Sequence, residues 1–286
     1  MIGHLGVERG QRVAILAPTC VEWAVCDLAI ALAGAVSVPI YPSVTAEQAA
    51  HILRDSGAVA AIVGDAGEVS RLHRVGPALK YVVLEGTGEG SLDHLQAHGE
   101  AVLTGQRATL DTIAADTTLA DPFTFVYTSG TTGVPKGVVL THKNLVYEAW
   151  AIKNVVAADR SDEQLMVLPL AHVFARHLLW GAVEQGAVTA FAPPVEPGAS
   201  QTAALAAAFQ EVGPTYMCAV PRVYEKFYNQ ILGEIQDGTF TKALIADDDA
   251  GRPRMTAYRA QGSSHPIEVT GAALRPMMAW IDDSGE

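Results

Sequence analysis

The chain has 286 residues, with 19 Lys and Arg against 31 Asp and Glu, which gives a formal net charge of −12 at pH 7. A protein this acidic lacks the basic surface that nucleic acid needs, so nucleic acid is excluded as a partner. Hydrophobic residues make up 49% of the chain, but no stretch reaches the roughly 18 uninterrupted apolar residues of a membrane span. The cysteines, Cys20, Cys26 and Cys218, have neither metal nor CxxC spacing. We expect them to be reduced, which favours a cytoplasmic location.

The N-terminal part of the chain alternates apolar runs with helical patterns. The pattern predicts strands at 12–17, 36–40, 59–63 and 81–85, and helices at 21–33 and 45–55. Thr45 is followed three residues later by Gln48, the signature of a capping box at a helix start. Alternation of this kind predicts an α/β fold, with parallel or mixed sheets flanked by helices.

The middle and C-terminal parts are less uniform. Residues 86–121 are rich in Gly, Thr and Asp, and are predicted to link two sheets with only a short helix at 92–98. Further elements follow: strands at 123–127, 138–140, 165–168, 188–191 and 216–219, and helices at 141–156, 173–184, 202–212 and 221–235. Residues 237–286 show no sustained period of 2.0 or 3.6 and are predicted to be a diverged or poorly ordered tail.

The segment 128–137 reads Thr-Ser-Gly-Thr-Thr-Gly-Val-Pro-Lys-Gly and directly follows the apolar run 123–127. Glycine lets the backbone approach an anion closely, and successive N–H groups then converge on it. The hydroxyl groups add donors, and Lys136 adds a charge suited to phosphate oxygens. This composition predicts a polyphosphate-binding loop. It is not a Walker A motif, because Pro135 stands at the second glycine position. The alternative is a mobile Gly/Thr surface linker.

The stretch 127–142, Tyr-Thr-Ser-Gly-Thr-Thr-Gly-Val-Pro-Lys-Gly-Val-Val-Leu-Thr-His, resembles the phosphate loop of the adenylate-forming (AMP-binding) enzymes. Leu-Pro-Leu-Ala-His-Val-Phe-Ala-Arg at 168–176 and Val-Pro-Arg-Val-Tyr-Glu-Lys at 220–226 resemble the long-chain fatty acyl-CoA synthetase branch. The resemblance implies the large N-terminal domain of that family, incomplete, over 1–236. It also implies a reaction in which a fatty carboxylate attacks MgATP and coenzyme A then displaces AMP.

The resemblance also implies roles for individual residues. It assigns the β- and γ-phosphates of ATP to Thr128, Ser129, Gly130, Thr131, Thr132, Gly133 and Lys136. The matching position for His172 borders the acyl carboxylate and the α-phosphate, so His172 and Lys136 are the predicted catalytic residues. The alternative for His172 is a histidine that is hydrogen-bonded at a helix start. Arg176, one turn later, either aids anion binding or pairs with Glu184 or another acid. No metal ligand is assigned.

Several segments that the family carries later in the chain are not found in this sequence. They are a Tyr-Gly-x-Thr-Glu segment whose glutamate holds Mg²⁺, a Thr-Gly-Asp segment whose aspartate binds ribose, and the C-terminal domain. The sequence is therefore interpreted as a truncated or disrupted acyl-CoA synthetase.

Three functions stay open at this point. The first is a long-chain fatty acid–CoA ligase that uses ATP, Mg²⁺ and coenzyme A. The second is a non-catalytic remnant or interaction module, and the third is an adenylating enzyme that loads a carrier-protein thiol. A peripheral membrane contact is compatible with a lipophilic substrate, although no basic amphipathic helix marks one. Nothing in the sequence specifies an oligomeric state.

Overall fold

The computed structural model describes residues 1–129, 134–156, 158–193, 200–253 and 256–257. The chain divides into two compact units, Met1–Ala199 and Ser200–Glu286. In chain order, the elements of the first unit are α1 (Ile2–Leu5), β1 (Arg12–Leu16), α2 (Val21–Leu32), β2 (Val36–Pro39), α3 (Ala46–Asp55), β3 (Ala58–Val63), α4 (Ala66–His73), β4 (Lys80–Val83), α5 (Leu92–Asp116), β5 (Pro122–Ser129), β6 (Pro135–Thr141), α6 (His142–Val155), β7 (Glu163–Met166), α7 (Val173–Gln185) and β8 (Val188–Phe191).

The first unit is built on a mixed six-stranded sheet with the strand order β4-β3-β1-β2-β5-β6. Every neighbouring pair is parallel except β5 and β6, which form an antiparallel hairpin. A second sheet contains β7 and β8 in parallel, connected through α7. The predicted α/β fold with two sheets flanked by helices is therefore confirmed.

The central strands are apolar on both faces because helices cover both sides of a parallel sheet. Residues Val13 to Leu16 of β1 are all buried, and a core cluster joins Leu16, Val63 and Leu72 to Ile52 and Leu53 of α3. The predicted capping box at Thr45 is present, with Gln48 N donating to Thr45 Oγ1 at 3.2 Å. Local capping and apolar burial together fix α3 against the sheet.

The second unit contains three described helices: α8 (Gln201–Val212), α9 (Pro221–Gln236) and α10 (Thr239–Asp249). Pro221 occupies the first turn of α9, a position where its missing N–H costs nothing. Gly213 ends α8 in the left-handed conformation, with φ of 58°. This is a conformation that glycine adopts without strain.

Two expectations from the sequence were wrong. The link predicted over 86–121 is mostly the 25-residue helix α5. The strand predicted over 216–219 is not formed, because only Tyr216 makes an isolated bridge there. Helix α10 lies in the first part of the segment 237–286, and the description of that segment as a diverged or poorly ordered tail stays a prediction.

Two further observations concern the surface and the thiols. Within the described ranges, no helix is long and apolar enough to cross a membrane. All three cysteines are free, as expected from their spacing. Burial raises the pKa of the Cys20 thiol to about 11 and that of Cys26 to about 12. Both side chains are therefore unreactive thiols at neutral pH.

Candidate functional site

The predicted phosphate loop is carried by the β5–β6 hairpin. Strand β5 ends at Ser129 and β6 begins at Pro135, so the loop joins two directly paired strands. The residues predicted at the tip of the loop, Gly130, Thr131, Thr132 and Gly133, lie outside the described residues, and for Ser129 only the backbone is described. Their assignment to the phosphates therefore stays a prediction.

The hairpin brings together Thr128 and Lys136, the two predicted site residues that flank the loop. They are direct partners across the antiparallel pair. Residues directly opposite each other in such a pair place their Cβ atoms on the same face, about 5 Å apart. Both side chains are exposed. A hydroxyl donor and an ammonium group thus stand side by side at the base of the loop, where both can reach one anion.

The hairpin also lies at the edge of the sheet where α/β proteins bind ligands. The loop follows the carboxyl end of β5, which runs parallel to β2. Ligands of open α/β sheets bind outside the carboxyl ends of the strands. A second segment reaches the same edge: the backbone N–H of Leu170 donates to Thr19 Oγ1 at 2.9 Å, and Thr19 lies just beyond the carboxyl end of β1. The segment that leads into His172 is therefore held at the edge from which the loop departs.

His172 is the N-cap of α7. Its Nδ1 accepts a hydrogen bond from the backbone N–H of Phe174 at 3.1 Å, and its side chain is exposed. The alternative reading from the sequence, a histidine hydrogen-bonded at a helix start, is therefore observed. Because Nδ1 is the acceptor, a neutral ring carries its proton on Nε2. Because only Nδ1 caps the helix, Nε2–H remains able to donate a hydrogen bond to an anion.

Arg176 is buried beneath this edge and does not face an anion site. Its guanidinium binds the carboxylate of Asp27, with Nη2 at 2.7 Å from Oδ1 and Nε at 3.2 Å from Oδ2. The side chains of Arg176 and Asp27 are 2% and 0% exposed. Of the two readings for Arg176, pairing with an acid is correct, but the partner is Asp27, because Glu184 pairs with Lys153 at the surface.

The Arg176 guanidinium also joins the neighbouring strands. Nη1 donates to Thr124 Oγ1 on β5 at 2.8 Å, and Nη2 donates to Ser37 Oγ on β2 at 2.9 Å. Thr124 Oγ1 in turn donates to the carbonyl oxygen of Ser37 at 2.8 Å. The guanidinium carbon lies 4.8 Å from the ring centroid of Phe123. One buried cation therefore ties α7 to α2 and to the two strands that lead to the site.

The residues present suit ATP phosphates better than they suit a metal ion. Lys136, Thr128 and backbone N–H groups are anion donors. In the part of the chain that the structure describes, no group of three or more His, Cys, Asp or Glu side chains is arranged to hold a metal. No Mg²⁺ ligand is therefore assigned among those described residues.

Comparison with known proteins identifies the family of the chain. A family model described as AMP-binding enzyme matches residues 1–279. The long-chain-fatty-acid–CoA ligase FadD15 of Mycobacterium bovis is 40% identical over 234 residues, which are 79% of this chain and 37% of that protein. The long-chain-fatty-acid–[acyl-carrier-protein] ligase AEE15 of Arabidopsis thaliana is 27% identical over 260 residues, covering 85% and 35%. The crystal structure of the long-chain-fatty-acid-CoA ligase FadD1 from Archaeoglobus fulgidus superposes with a TM-score of 0.64 at 24% identity, covering 81% and 44%.

The fold is that of an α/β protein with a parallel-dominated sheet flanked by helices, and the predicted phosphate loop lies between two paired strands of that sheet. The chain belongs to the AMP-binding enzyme family. It spans 37% of the length of the mycobacterial ligase, so it corresponds to part of such a protein. The family match continues past residue 236, and the predicted division of the chain at that residue stays a prediction.

Proposed function

We propose that this chain forms the phosphate-binding part of a long-chain fatty acid–CoA ligase, which activates a fatty acid to its acyl-adenylate and transfers the acyl group to coenzyme A. The observation that carries the proposal is the pairing of Thr128 with Lys136 across the hairpin, next to the edge that holds the segment before His172. The two curated relatives named above act on long-chain fatty acids by name.

In this proposal the side chains position and stabilise charge, and no protein nucleophile is needed. The ammonium group of Lys136 and the hydroxyl of Thr128 bind the β- and γ-phosphates and stabilise the departing pyrophosphate. The loop residues Ser129 to Gly133 add backbone N–H and hydroxyl donors. His172 Nε2–H donates to the acyl carboxylate or the α-phosphate, while Nδ1 stays on the helix. Holding both reactants in line supplies much of the rate, because it converts a bimolecular step into a positioned one.

The second candidate is transfer of the acyl group to a carrier-protein thiol. The relative from Arabidopsis thaliana, which is named for that acceptor, favours it. The adenylation half-reaction is the same for both candidates. They are distinguished by incubating the chain with a C16 acid and MgATP and measuring AMP release with coenzyme A or with a phosphopantetheinylated carrier protein. Release that depends on the carrier protein alone would contradict the CoA ligase.

The first test is fatty-acid-dependent exchange of labelled pyrophosphate into ATP, with the purified chain, a C16 acid and Mg²⁺. We expect exchange that falls about 100- to 1,000-fold in Lys136→Ala, since removing one preorganised donor to a developing anion typically has such an effect. Lys143→Ala is the matched control, because Lys143 is an exposed lysine on the neighbouring helix α6. Its exchange should equal that of the parent chain.

Two outcomes would contradict the proposal. A chain that is folded by circular dichroism but gives no exchange would favour the non-catalytic remnant. Equal exchange in Lys136→Ala and the parent chain at saturating ATP would remove Lys136 from the site.

A further inference from the structure

We propose that His51 and Asp55, on helix α3, hold both strands of the β5–β6 hairpin and act as positioning residues for the phosphate-binding donors. The expected effect on ATP binding rests on the proposed function, whereas the contacts between α3 and the hairpin can be tested without nucleotide. The residues are one helical turn apart, so they lie on the same side of α3. Each contacts a different strand of the hairpin.

Helix α3 is a firm support for such a contact. Its opposite side buries Ala49, Ile52 and Leu53 in the sheet core, each no more than 3% exposed. Its N-terminus is fixed by the capping box at Thr45. A side chain projecting from α3 is therefore anchored to the central sheet and not to the loop that it contacts.

The first contact holds β5. The hydroxyl of Tyr127 donates to Asp55 Oδ2 at 2.6 Å, a short bond of the kind formed with a charged acceptor. The Tyr127 ring packs against the core cluster. Burial, followed by the hydrogen bond and charge of Asp55, raises the pKa of the Tyr127 phenol. The phenol therefore stays protonated and continues to donate across the neutral pH range.

The second contact holds β6. His51 Nε2 lies 3.1 Å from the carbonyl oxygen of Pro135, the first residue of that strand. A carbonyl oxygen only accepts, so Nε2 is the donor. Pro135 pairs with Ser129, and this bond is therefore made at the last rung of the hairpin before the loop begins.

The two strands are also packed together beside this contact. Gly137 is the partner of Tyr127, and a Cβ atom built on Gly137 would lie 3.0 Å from Cζ of the Tyr127 ring. The ring therefore occupies the space that a side chain at residue 137 would need. This close approach gives the glycine a packing role in the hairpin, in addition to its place in the loop composition.

The held residues directly precede the proposed phosphate donors. Tyr127 precedes Thr128, and Pro135 precedes Lys136. Side chains of a strand alternate between its faces, so Tyr127 faces α3 while Thr128 faces away from it. Fixing Tyr127 and Pro135 from behind thus sets the separation of the hydroxyl and ammonium groups on the front, without any contact with the nucleotide.

The test uses the whole chain, with Tyr127→Phe and His51→Ala as disrupting variants. Asp55→Asn and His51→Gln are the conservative variants, because Asn retains an acceptor and Gln retains a donor. Tyr147→Phe is the matched control, since Tyr147 is an exposed tyrosine on α6. Two quantities are measured: amide hydrogen exchange in the hairpin without nucleotide, and the Kd for MgATP by calorimetry.

We expect exchange at the amides of 126–129 and 136–138 to become about three- to tenfold faster in the disrupting variants, which is the effect of losing one hydrogen bond. Exchange in β1 should be unchanged. The Kd for MgATP should rise by a similar factor, and the conservative variants should stay within about twofold of the parent chain.

Each outcome gives a decision. Unchanged amide hydrogen exchange of the hairpin in both disrupting variants would overturn the inference, whatever the Kd for MgATP. Faster exchange with an unaltered Kd would overturn the positioning role. A parent chain that binds no MgATP would contradict the proposed function, and hydrogen exchange alone would then decide whether α3 holds the hairpin.

Discussion

At the residue scale, the two nitrogens of the His172 imidazole have separate roles. Nδ1 accepts a hydrogen bond from the backbone N–H of Phe174 and caps α7. In the neutral ring, Nε2 carries the proton and takes no part in that bond. The capping role and the proposed role toward the substrate therefore do not compete. They predict different responses to substitution, because asparagine is also a favoured N-cap residue whereas alanine is not.

We expect His172→Asn to keep the stability of the parent chain and His172→Ala to lose about 1 kcal/mol, the usual effect of removing an N-cap. Pyrophosphate exchange should fall in both variants, by about 100-fold, because neither keeps an imidazole donor. Thermal unfolding and the exchange assay measure the two quantities. Full pyrophosphate exchange in His172→Asn would show that His172 acts only as a helix cap.

At the scale of elements, the Asp27–Arg176 pair joins parts of the chain that are distant in sequence. It links α2 to α7, while Ser37 and Thr124 add β2 and β5 to the same group. A buried pair of this kind contributes little net stability compared with apolar residues, but removing one partner leaves an uncompensated charge. The network therefore acts mainly by fixing which strands and helices meet beside the candidate site.

We expect Asp27→Leu and Arg176→Met each to reduce the free energy of unfolding by about 3–5 kcal/mol, because each leaves one buried charge alone. The double variant should recover much of that loss. The exposed pair Lys153 and Glu184, which are 52% and 41% exposed, is the control, with an expected effect of about 1 kcal/mol or less. Urea unfolding checks these values. Losses that simply add in the double variant would contradict the buried-pair interpretation.

The elements that were predicted correctly carry strong local signals. Thr45 with Gln48 marks the start of α3, and Pro221 marks the start of α9. The start of helix α5 was predicted at 92–98, but the rest was missed because its exposed length gives no apolar stripe: only Leu92 and Leu95 are buried. Where a helix has little to bury, periodicity gives no indication of it.

The candidate site likewise contains residues that a local signal predicts and residues that only the fold brings together. The loop composition predicted Thr128 and Lys136, and hairpin pairing then placed them opposite each other. The partner of Arg176 lies 149 residues away, and His51 and Tyr127 reach partners 84 and 72 residues away. Contacts of that range depend on how the sheet is ordered, which no local pattern encodes. The predicted chemistry of the loop therefore rests on local composition, whereas the residues that contact its flanking strands are brought together only by the fold.

At the scale of the whole molecule, the described sheet has one long exposed edge. Strand β6 is the outermost strand on its side, with Val138 and Val139 47% and 52% exposed. An apolar edge strand with unpaired backbone groups is a template for pairing with another chain. The net charge of −12 opposes such pairing through repulsion between chains.

We predict concentration-dependent self-association of the purified chain that strengthens as the pH falls from 8 toward the isoelectric point near 5.1, because the repulsive charge declines. Added salt should strengthen it at pH 8 by screening the same charge. Val139→Lys should weaken it, since a charge on an edge strand opposes pairing. Val183→Lys is the control, because Val183 is 58% exposed but lies on α7 and has no free strand edge. Sedimentation velocity at several concentrations measures the effect. Equal association of the two lysine variants would show that general apolar surface, and not the edge of β6, drives the contact.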